Sequence, residues 1–374
     1  MAGPVAGKRI GLLSAWASRA NGGVFEAVVA QAAMLRELGA QPVVLAAGDE
    51  HHAQDRWRLD RCEVVVVPAI GPRALAYAPH MARALDEARL DLLHLHGIWQ
   101  YPTHAAGAWA RRWHRPLVIS PHGMFAEWIT ARNRWKKTLA RLAWERRSWA
   151  SASLVHALTA AEQADIAREM PAAPCAIVPN AAPTPAPVSD AARPPHALYL
   201  GRIHPKKNLP ALIAGWRLAR PHLPANAQLT IAGWGDDEGI AQLEAAMAGG
   251  DPSIAFVGTA FGSQKAALFD IARFLVLPSL SEGLPMAVLE AWASGTPTIM
   301  SQHCQLPEGF AAGAAIDCGT GAETIAAALR DGFGRSDEAW QAMADAARDL
   351  ARARFGRDTI ARRWEALYAS LLSG

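Results

Sequence analysis

The sequence lacks the residue patterns that mark several large classes of protein. Its 374 residues include four cysteines, and no two of them form a C-x-x-C pair: Cys62, Cys175, Cys304 and Cys318. Cysteines this far apart argue against a zinc site or a disulfide framework and favour a reducing compartment. No apolar run approaches the ~18 residues that a membrane-spanning helix needs, and the short apolar stretch after Lys8 reads as a first strand instead of a signal peptide. We therefore expect a cytoplasmic protein, either soluble or peripheral at the inner face of the membrane.

Several nucleotide-binding and hydrolase signatures are missing as well. The chain has no G-x-x-x-x-G-K-[ST] phosphate loop and no G-x-S-x-G nucleophile turn. Gly233 and Gly235 supply the first two glycines of a dinucleotide fingerprint without the third, which argues against a nicotinamide enzyme. Asp236 to Glu238 follow as three acids, and we interpret them as a helix start favoured by the dipole, not as a metal–diphosphate site. The net charge of +3 is too small to indicate nucleic-acid binding.

What is present is a regular alternation of short apolar strands and helices. Apolar residues make up 51% of the chain, and its length suits two domains. The alternation predicts parallel sheets covered by helices on both faces. Five prolines fall within residues 181–195, which indicates a linker. We predict an N-terminal domain over 1–180, a linker over 181–195 and a C-terminal domain over 196–374, whose last helix is able to pack on the first domain.

The strongest local signal lies between Leu277 and Ile299. A buried strand end leads into a turn with Glu282 and Gly283, and then into a helix that carries Glu290. Pro285 suits the first helical position, where its missing N–H costs nothing. The positive end of such a helix suits phosphate, and carboxylates beside it suit sugar hydroxyls. A nucleotide diphosphate sugar carries all of these groups.

A second candidate region is the loop after the predicted strand at residues 197–200. Arg202 and Lys207 lie on this loop, at the carboxyl end of the strand. Both cations can reach a diphosphate and stabilise it as it leaves, without a metal ion. The alternative is that Arg202 and Lys207 are ordinary solvated cations of a surface loop. That interpretation is less attractive because the sequence also supplies Glu282 and Glu290.

Three features of the first half lie at predicted strand ends. Gly22 and Gly23 join a strand to a helix, which fits either an anion site or a plain helix start. His94 and His96 close one strand, and we expect structural or substrate-contacting roles for them ahead of metal binding. His122 precedes a glycine at the end of the next strand, and the turn can direct its ring towards a ligand.

Residues 131–150 form a predicted basic helix with seven Lys or Arg residues, one acid and interleaved tryptophans. Basic residues with tryptophans suit an anionic membrane surface. A surface helix whose tryptophans pack on the sheet while its arginines extend to solvent fits the same pattern. Both interpretations stay open.

The motifs together resemble the retaining glycosyltransferases of family 4. G-R-I-H-P-K-K-N-L-P-A-L-I, with S-E-G-L-P-M-A-V-L-E-A-W-A-S-G-T-P later in the chain, is similar to the motifs of that family, and its E-x7-E spacing is met by Glu282 and Glu290. The Gly22–Gly23 pair, residues 121–123 and residues 178–180 match too. The resemblance implies the GT-B fold, an α/β architecture of two Rossmann-like domains with parallel sheets facing an interdomain cleft.

The resemblance also implies roles on the donor side. Glu290 would bind the ribose hydroxyls, and Glu282 would contact sugar hydroxyls beside the anomeric carbon. Arg202 and Lys207 would stabilise the leaving diphosphate. The expected reaction moves a sugar from a UDP- or GDP-sugar to a hydroxyl with retention of configuration, with no metal or other cofactor, in cell-surface polysaccharide or glycolipid synthesis.

The remaining implied contacts come from backbone and from the first domain. The amides of Gly283 and Leu284 and the turn at Gly258 would hold the nucleotide sugar. The Gly22–Gly23 pair would approach a phosphate, and His122 would contact the transferred sugar. The partners expected are the donor, a lipid-linked saccharide acceptor and an anionic membrane surface.

Two other functions share this fold or site. A nucleotide-sugar 2-epimerase would be expected to carry more acids in the first-domain cleft than this chain does. A non-catalytic nucleotide-sugar-binding subunit would not need the four charged residues, which are all intact: Arg202, Lys207, Glu282 and Glu290.

Overall fold

The computed structural model describes residues 3–126, 130, 134–183 and 193–373. The chain forms two compact units, here called unit 1 and unit 2. Unit 1 contains Met1–Pro179 with Ile360–Gly374, and unit 2 contains Asn180–Thr359. Most of the predicted linker lies outside the described residues. Within the described part of the chain, no helix has the length and apolar character required to cross a membrane.

Unit 1 is built on a seven-stranded parallel sheet with the order β3-β2-β1-β4-β5-β6-β7. Its strands are β1 (Arg9–Trp16), β2 (Gln41–Ala47), β3 (Glu63–Val67), β4 (Leu92–His96), β5 (Leu117–Ser120), β6 (Leu154–Ala157) and β7 (Cys175–Ile177). Its helices are α1 (Gly23–Glu37), α2 (His52–Asp55), α3 (Met81–Glu87), α4 (Tyr101–Trp113), α5 (Arg134–Ala140), α6 (Arg146–Trp149) and α7 (Ala160–Glu169).

The central strands of unit 1 are buried on both faces, as expected for a parallel sheet between two helical layers. Every residue of β4 and β5 is buried. The register places His96 beside Ser14 of β1 and Ser120 of β5, so three strands end at one edge. The strand order reverses between β1 and β4, where ligands of open α/β sheets bind.

Unit 2 has a six-stranded parallel sheet with the order β10-β9-β8-β11-β12-β13. Its strands are β8 (His196–Leu200), β9 (Gln228–Ala232), β10 (Ile254–Phe256), β11 (Phe274–Leu277), β12 (Thr298–Met300) and β13 (Ala315–Asp317). Its helices are α8 (Leu209–Ala219), α9 (Asp237–Met247), α10 (Gly262–Ile271), α11 (Met286–Ala293), α12 (Pro307–Ala311), α13 (Ala322–Phe333) and α14 (Asp337–Phe355). The strand order reverses between β8 and β11, so the loops after these two strands share the binding edge of unit 2.

The last helix, α15 (Arg357–Leu372), starts in unit 2 and continues in unit 1. Ile360, Trp364 and Tyr368 are buried and recur every four residues, which places them on one face of the helix. The ring of Trp364 lies 5.2 Å from that of His94 on the unit 1 sheet. The C-terminal helix is therefore part of the core of unit 1.

One local prediction needs correction. Pro285 is the residue before the helix, and α11 begins at Met286. The helix predicted over residues 131–150 is present from Arg134 to Trp149 and contains a π-helical stretch at Arg141–Glu145, in which Glu145 is buried. Residues 131–133 of that prediction lie outside the described residues.

Candidate functional site

The loop after β8 is fastened to its neighbours by specific hydrogen bonds. The buried Tyr199 hydroxyl donates to the carbonyl of Arg202 at 2.8 Å. Asn208 adopts a left-handed backbone conformation with φ 61° at the start of α8. Its side-chain amide donates to the carbonyls of Pro278 and Thr320, at 3.1 and 2.8 Å. The loops after β8 and β11 are thereby held together at the edge where the strand order reverses.

Lys207 and Glu282 form an ion pair between these two loops. Only 12% of the Lys207 side chain and 7% of the Glu282 side chain is exposed. The Ser279 hydroxyl donates to the same carboxylate at 2.6 Å, and the Glu282 amide donates to the carbonyl of His303 at 3.1 Å. Because each charge is nearly removed from water, each needs the other, and removal of one would leave an uncompensated charge.

Glu290 lies on α11 and is paired with a cation that sequence reasoning missed. The ammonium of Lys265 on α10 lies 2.8 Å from the Glu290 carboxylate. The Glu290 side chain is 18% exposed and therefore remains reachable by a ligand. No motif links these residues, and only the folded structure shows that the Lys265 side chain reaches Glu290.

Arg202 has a different carboxylate partner from Lys207. Its guanidinium lies 3.1 Å from Asp236 and 5.5 Å from the centre of the Trp234 ring, and half of the side chain is exposed. Asp236 also accepts a hydrogen bond from the Gly239 amide at 2.9 Å as the cap of α9. That backbone hydrogen bond is the main cause of the lowered pKa of Asp236. The acidic run therefore starts a helix, as the sequence suggested.

Glycine is required between β9 and α9 because a larger residue would clash with the neighbouring loop. A Cβ at Gly233 would lie 1.9 Å from the Gly201 carbonyl oxygen, and one at Gly235 would lie 2.3 Å from that of Ile203. The two loops therefore touch through their backbones. This contact explains the G-x-G pattern without a dinucleotide.

The start of α11 leaves its first amides without a side-chain cap from the described residues. A Cβ at Gly283 would meet no described atom within 4 Å, and the backbone of Gly283 is not left-handed, so neither packing nor conformation requires glycine there. The carbonyl of Gly258, with φ 71°, accepts from the Gly233 amide at 2.8 Å. Leu284 is half-buried against the core of unit 2.

In unit 1, Gly22 and Gly23 open α1 as predicted. Gly22 has φ 56° and ψ −133°, a conformation that favours glycine, and no described side chain caps the helix there. A Cβ on either glycine would meet no described atom within 4 Å. The helix start is therefore open on the side of these two residues.

His122 follows β5 in a left-handed conformation with φ 53°. Its Nε2 atom lies 3.0 Å from Nδ1 of His96, and the two rings are nearly parallel with centroids 5.2 Å apart, so they meet edge to edge. The ring of His96 is stacked on that of His94, with centroids 4.1 Å apart. No group of three or more His, Cys, Asp or Glu residues in the described part of the chain is arranged to hold a metal ion.

Buried polar groups of unit 1 form a continuous row of hydrogen bonds, here called the histidine chain. Its members are Gln31, Tyr368, His94, Ser120, His156 and the carbonyl of Val178. It joins α1, α15, three strands of the sheet and the segment after β7. Sequence reasoning found only His94 in this set.

The direction of every bond in the histidine chain follows from its last member. The carbonyl of Val178 can only accept, so Nε2 of His156 donates to it at 2.7 Å. In a neutral ring Nδ1 then accepts from the Ser120 hydroxyl, which must itself accept from Nε2 of His94. Nδ1 of His94 accepts from the Tyr368 hydroxyl at 2.7 Å. Each ring nitrogen therefore has one partner, and both histidines are satisfied only when neutral.

Burial keeps these rings neutral. It lowers the pKa of His156 to about 4 and that of His122 to about 3, and it places the pKa values of His94 and His96 well below the ordinary value. Positive charge on one ring would also repel charge on its neighbours. These four rings are therefore uncharged at neutral pH.

The basic segment has two distinct parts in the structure. Trp149 is 4% exposed and packs in the core of unit 1, whereas Trp135, Leu139 and Leu142 are 65%, 57% and 70% exposed. Arg141 pairs with Glu169 at 2.6 Å. The carboxyl end of the segment thus fits the surface-helix interpretation, while its first turns present apolar side chains to solvent.

Glu145, the acid of the basic segment, is fully buried beneath it. Its carboxylate accepts from the Trp99 amide at 2.8 Å and from the Trp144 ring N–H at 3.0 Å. Burial raises the pKa of Glu145 to about 7. This carboxyl group therefore titrates near neutral pH.

Comparison with protein families assigns a domain type to each half of the chain. The model described as Glycosyl transferase 4-like domain matches residues 22–181, and the model described as Glycosyl transferases group 1 matches residues 194–334. With two Rossmann-like units, the chain has the GT-B fold of glycosyltransferases, as predicted. Both of its halves carry glycosyltransferase-type domains.

Individual relatives agree with this class. The chain is 34% identical over 124 residues to the amylovoran biosynthesis glycosyltransferase AmsK of Erwinia amylovora, a match covering 31% of this chain and 30% of that protein. It is 28% identical over 162 residues to O-antigen chain mannosyltransferase B of Escherichia coli, covering 42% and 41%. The chain thus spans less than half the length of each of these curated relatives.

The solved structure of Anabaena HepE in complex with UDP has the same fold. It superimposes with a TM-score of 0.78 at 16% identity, covering 97% of this chain and 100% of that chain. At this identity the likeness establishes the arrangement of strands and helices.

Proposed function

We propose that this protein is a retaining glycosyltransferase that moves a hexosyl group from a UDP- or GDP-sugar to a hydroxyl acceptor. The observation that carries the proposal is the buried Lys207–Glu282 pair between the loops after β8 and β11. It places a fixed cation and a hydrogen-bond acceptor together at the reversal of strand order, next to the open start of α11. A diphosphate attached to a sugar needs both groups.

These contacts support the donor half of the proposed reaction. Glu290 accepts hydrogen bonds from the ribose hydroxyls, with Lys265 holding its carboxylate in place. Glu282 accepts from a sugar hydroxyl while it orients Lys207. The ammonium of Lys207 and the guanidinium of Arg202 stabilise negative charge on the departing diphosphate, and the amides of Gly283 and Leu284 with the turn at Gly258 contribute backbone contacts.

The chemical step uses the donor's own leaving group. The acceptor hydroxyl attacks the anomeric carbon from the face that the diphosphate leaves, and the bond from that carbon to the phosphate oxygen breaks. The hydroxyl proton passes to the departing diphosphate, so no protein base is required. Retention of configuration follows from attack on that face.

Relatives suggest the acceptor class. Because AmsK is named for amylovoran biosynthesis and the Escherichia coli relative for the O-antigen chain, we infer a saccharide acceptor in cell-surface polysaccharide or glycolipid synthesis, carried on a lipid. The exposed Trp135, Leu139 and Leu142 of the basic segment would contact an anionic membrane surface at the inner face of the membrane.

The test pairs donor binding with product analysis. A thermal-shift panel of UDP-, GDP- and ADP-sugars identifies the donor, because a ligand that binds only the folded state raises the melting temperature. Incubation of that donor with lipid-linked saccharides, followed by NMR of the product, then reads the anomeric configuration. An inverted product overturns the mechanism. Conversion of the sugar to its 2-epimer identifies an epimerase, and binding without turnover identifies a non-catalytic subunit.

The metal-free character of the reaction has a separate test. With fixed cations at Arg202 and Lys207, we expect transfer rates to be unchanged in EDTA, measured by release of the nucleoside diphosphate. A complete loss that Mg²⁺ restores would contradict this part of the proposal, and Ca²⁺-saturated EDTA serves as the control.

A further inference from the structure

Glu162 on α7 has a buried carboxylate that joins two loops of unit 1. The residue is 4% exposed. One carboxylate oxygen accepts a hydrogen bond from the amide of Leu158 at 2.8 Å, and the other accepts from the amide of Gly123. The carboxylate therefore connects the end of β6 with the turn after β5, which carries His122.

The local sequence accounts for only part of this arrangement. Thr159 and Glu162 have the T-x-x-E spacing of a capping box, in which the acid accepts from the amide of the capping residue. The Thr159 hydroxyl does accept from the Glu162 amide, at 3.2 Å. The Glu162 carboxylate, however, accepts from Leu158 and Gly123. Capping of α7 needs no bond to the turn after β5, so the contact with Gly123 has a separate effect.

The turn after β5 holds two consecutive residues in the left-handed region. His122 has φ 53° and Gly123 has φ 76°, and the Met124 amide donates to the Pro121 carbonyl at 3.2 Å. Positive φ at both central residues is typical of a type I′ turn. For a histidine this conformation costs free energy, and it persists only where the surroundings fix it. The hydrogen bond of the turn itself does not use the Gly123 amide, and Glu162 supplies the acceptor for that amide.

We propose that Glu162 is a positioning residue, which holds the Gly123 amide and so fixes the turn that presents His122 to the transferred sugar. The ring of His122 also contacts His96, whose Nδ1 atom lies 3.0 Å from its Nε2 atom. Glu162 fixes the backbone from which that ring projects. The sugar contact in this inference rests on the proposed function, whereas the hold of Glu162 on the turn does not.

The ionisation of Glu162 can be read from the Gly123 amide. A carboxylate is a stronger acceptor than a carboxylic acid, so protonation of Glu162 should weaken the hydrogen bond and shift the amide proton resonance. Burial raises the pKa of Glu162, and the charge of Asp165 on the same helix adds to the increase. The pKa of the nearby Cys175 thiol is also raised by burial, and that of His122 is about 3, so neither group titrates between pH 4.5 and 8.

The direct test is an NMR titration of the full chain labelled with ¹³C-carbonyl histidine and ¹⁵N-glycine. The dipeptide His–Gly occurs twice in the sequence, so this labelling selects the amides of Gly97 and Gly123. The Gly97 amide donates to the carbonyl of Ser120 at 2.8 Å and is the internal control. Between pH 8 and pH 4.5 we expect one signal to move and the other to stay. Two stationary signals, or two that move together, would overturn the proposal.

Two variants assign the moving signal. Glu162→Gln keeps the shape of the side chain but cannot ionise, so we expect the movement to disappear. Asp165→Asn removes the neighbouring acid, and we expect the movement to remain. A signal that still moves in Glu162→Gln would contradict the contact between Glu162 and Gly123.

Kinetics provide an arm that depends on the proposed function. Glu162→Ala removes both acceptors, and we expect kcat to fall about tenfold while the affinity for the free nucleotide stays unchanged. Thr159→Ala removes the cap of α7 alone and should retain kcat. Equal losses in the two variants would overturn the positioning role. Glu162→Gln keeps one acceptor oxygen and should lose less, and it replaces Glu162→Ala if near-UV circular dichroism shows that this variant does not fold.

A double variant tests the link between Glu162 and His122. In His122→Ala, the further change Glu162→Ala should cost no more activity, because the side chain that it positions is gone. Additive losses would overturn the coupling. Absence of transfer in every form, with one His–Gly amide titrating as expected, would reject the proposed function and leave the hold of Glu162 on the turn standing.

Discussion

The two units have similar sheets and different side chains at the edge where the strand order reverses. In unit 1 that edge carries buried, neutral histidines and the open glycine start of α1. In unit 2 it carries cations paired with carboxylates, at Lys207 with Glu282 and at Lys265 with Glu290. One fold can thus offer uncharged hydrogen-bond donors in one place and fixed charge in another, according to which side chains follow its strands.

The difference has an energetic basis. A buried histidine can stay neutral because its ordinary pKa lies close to neutral pH, so the histidine chain avoids the cost of burying charge. A lysine and a glutamate are charged at neutral pH and can be buried only together. Unit 1 should therefore respond to acid, and unit 2 to the loss of one member of a pair.

The largest expected effect comes from breaking the pair in unit 2. Lys207→Ala should lower the transfer rate by about 10²–10³-fold, because the departing diphosphate loses a fixed cation. It should also destabilise unit 2 by about 3–5 kcal/mol, since Glu282 is left as a buried charge. Steady-state kinetics and denaturant unfolding measure the two effects.

A matched double variant separates these two consequences. Glu282→Gln added to Lys207→Ala removes the uncompensated charge, so stability should recover while transfer stays lost. Full activity of Lys207→Ala would show that Lys207 does not act in the transfer reaction. Recovery of activity in the double variant would show that the loss was one of folding.

The next effect concerns nucleotide affinity. Glu290→Ala should weaken binding of UDP or GDP, whichever the panel selects, by about 10- to 100-fold, as expected for loss of charged hydrogen bonds to the ribose. Calorimetric titration of the free nucleotide measures it. Glu323→Ala, an exposed acid on the first turn of α13, is the matched control and should bind normally. Equal affinities in both variants would exclude the ribose role.

Acid should destabilise unit 1 more than unit 2. The folded pKa values of His156 and His122, about 4 and about 3, lie below the ordinary 6.5, so the unfolded chain binds more protons between these limits. The free energy of unfolding should fall as pH drops from 6.5 towards 4, by on the order of 2 kcal/mol at pH 5 from His156 alone. Hydrogen exchange of the two units at pH 7 and pH 5 compares them directly.

Glu145 contributes the opposite slope. Its raised pKa of about 7 means that the folded state binds its proton more tightly, so the stability from this group is lost as pH rises from about 4.5 to 7. Glu145→Gln should therefore leave a steeper acid destabilisation of unit 1. If acid destabilised only unit 2, in the wild type or in Glu145→Gln, the predicted difference between the units would be wrong.

The smallest effect is expected at the surface of the basic segment. Trp135→Ala should change stability by less than about 0.5 kcal/mol, because the side chain is 65% exposed. It should reduce co-sedimentation with anionic vesicles at low salt if these first turns contact membrane. Trp57→Ala, at a tryptophan that is 74% exposed elsewhere in unit 1, is the control. Absence of co-sedimentation of the wild-type protein with anionic vesicles would contradict the proposed membrane contact.

The alternation of strands and helices was enough to predict the fold class. Some loop residues can be predicted from the sequence. Asn208, after Lys207, is an example, because asparagine adopts the left-handed backbone conformation more readily than most residues. Lys265 could not be predicted, because its pairing with Glu290 depends on where two separate helices lie in the folded unit. The π-helical stretch at Arg141–Glu145 was also hidden, since a basic amphipathic pattern gives no sign that its one acid is buried.

The sequence by itself determined the parallel α/β architecture, because strand and helix periodicity are local properties of the chain. It also marked Arg202, Lys207 and Glu282 as residues that follow strands, and Glu290 as a residue on the helix after Glu282. Only the tertiary structure decided which carboxylate each cation meets, and that His94 connects through Ser120 to groups far away in the chain. Those partners are set by packing between distant segments, and burial then decides which of them carry charge.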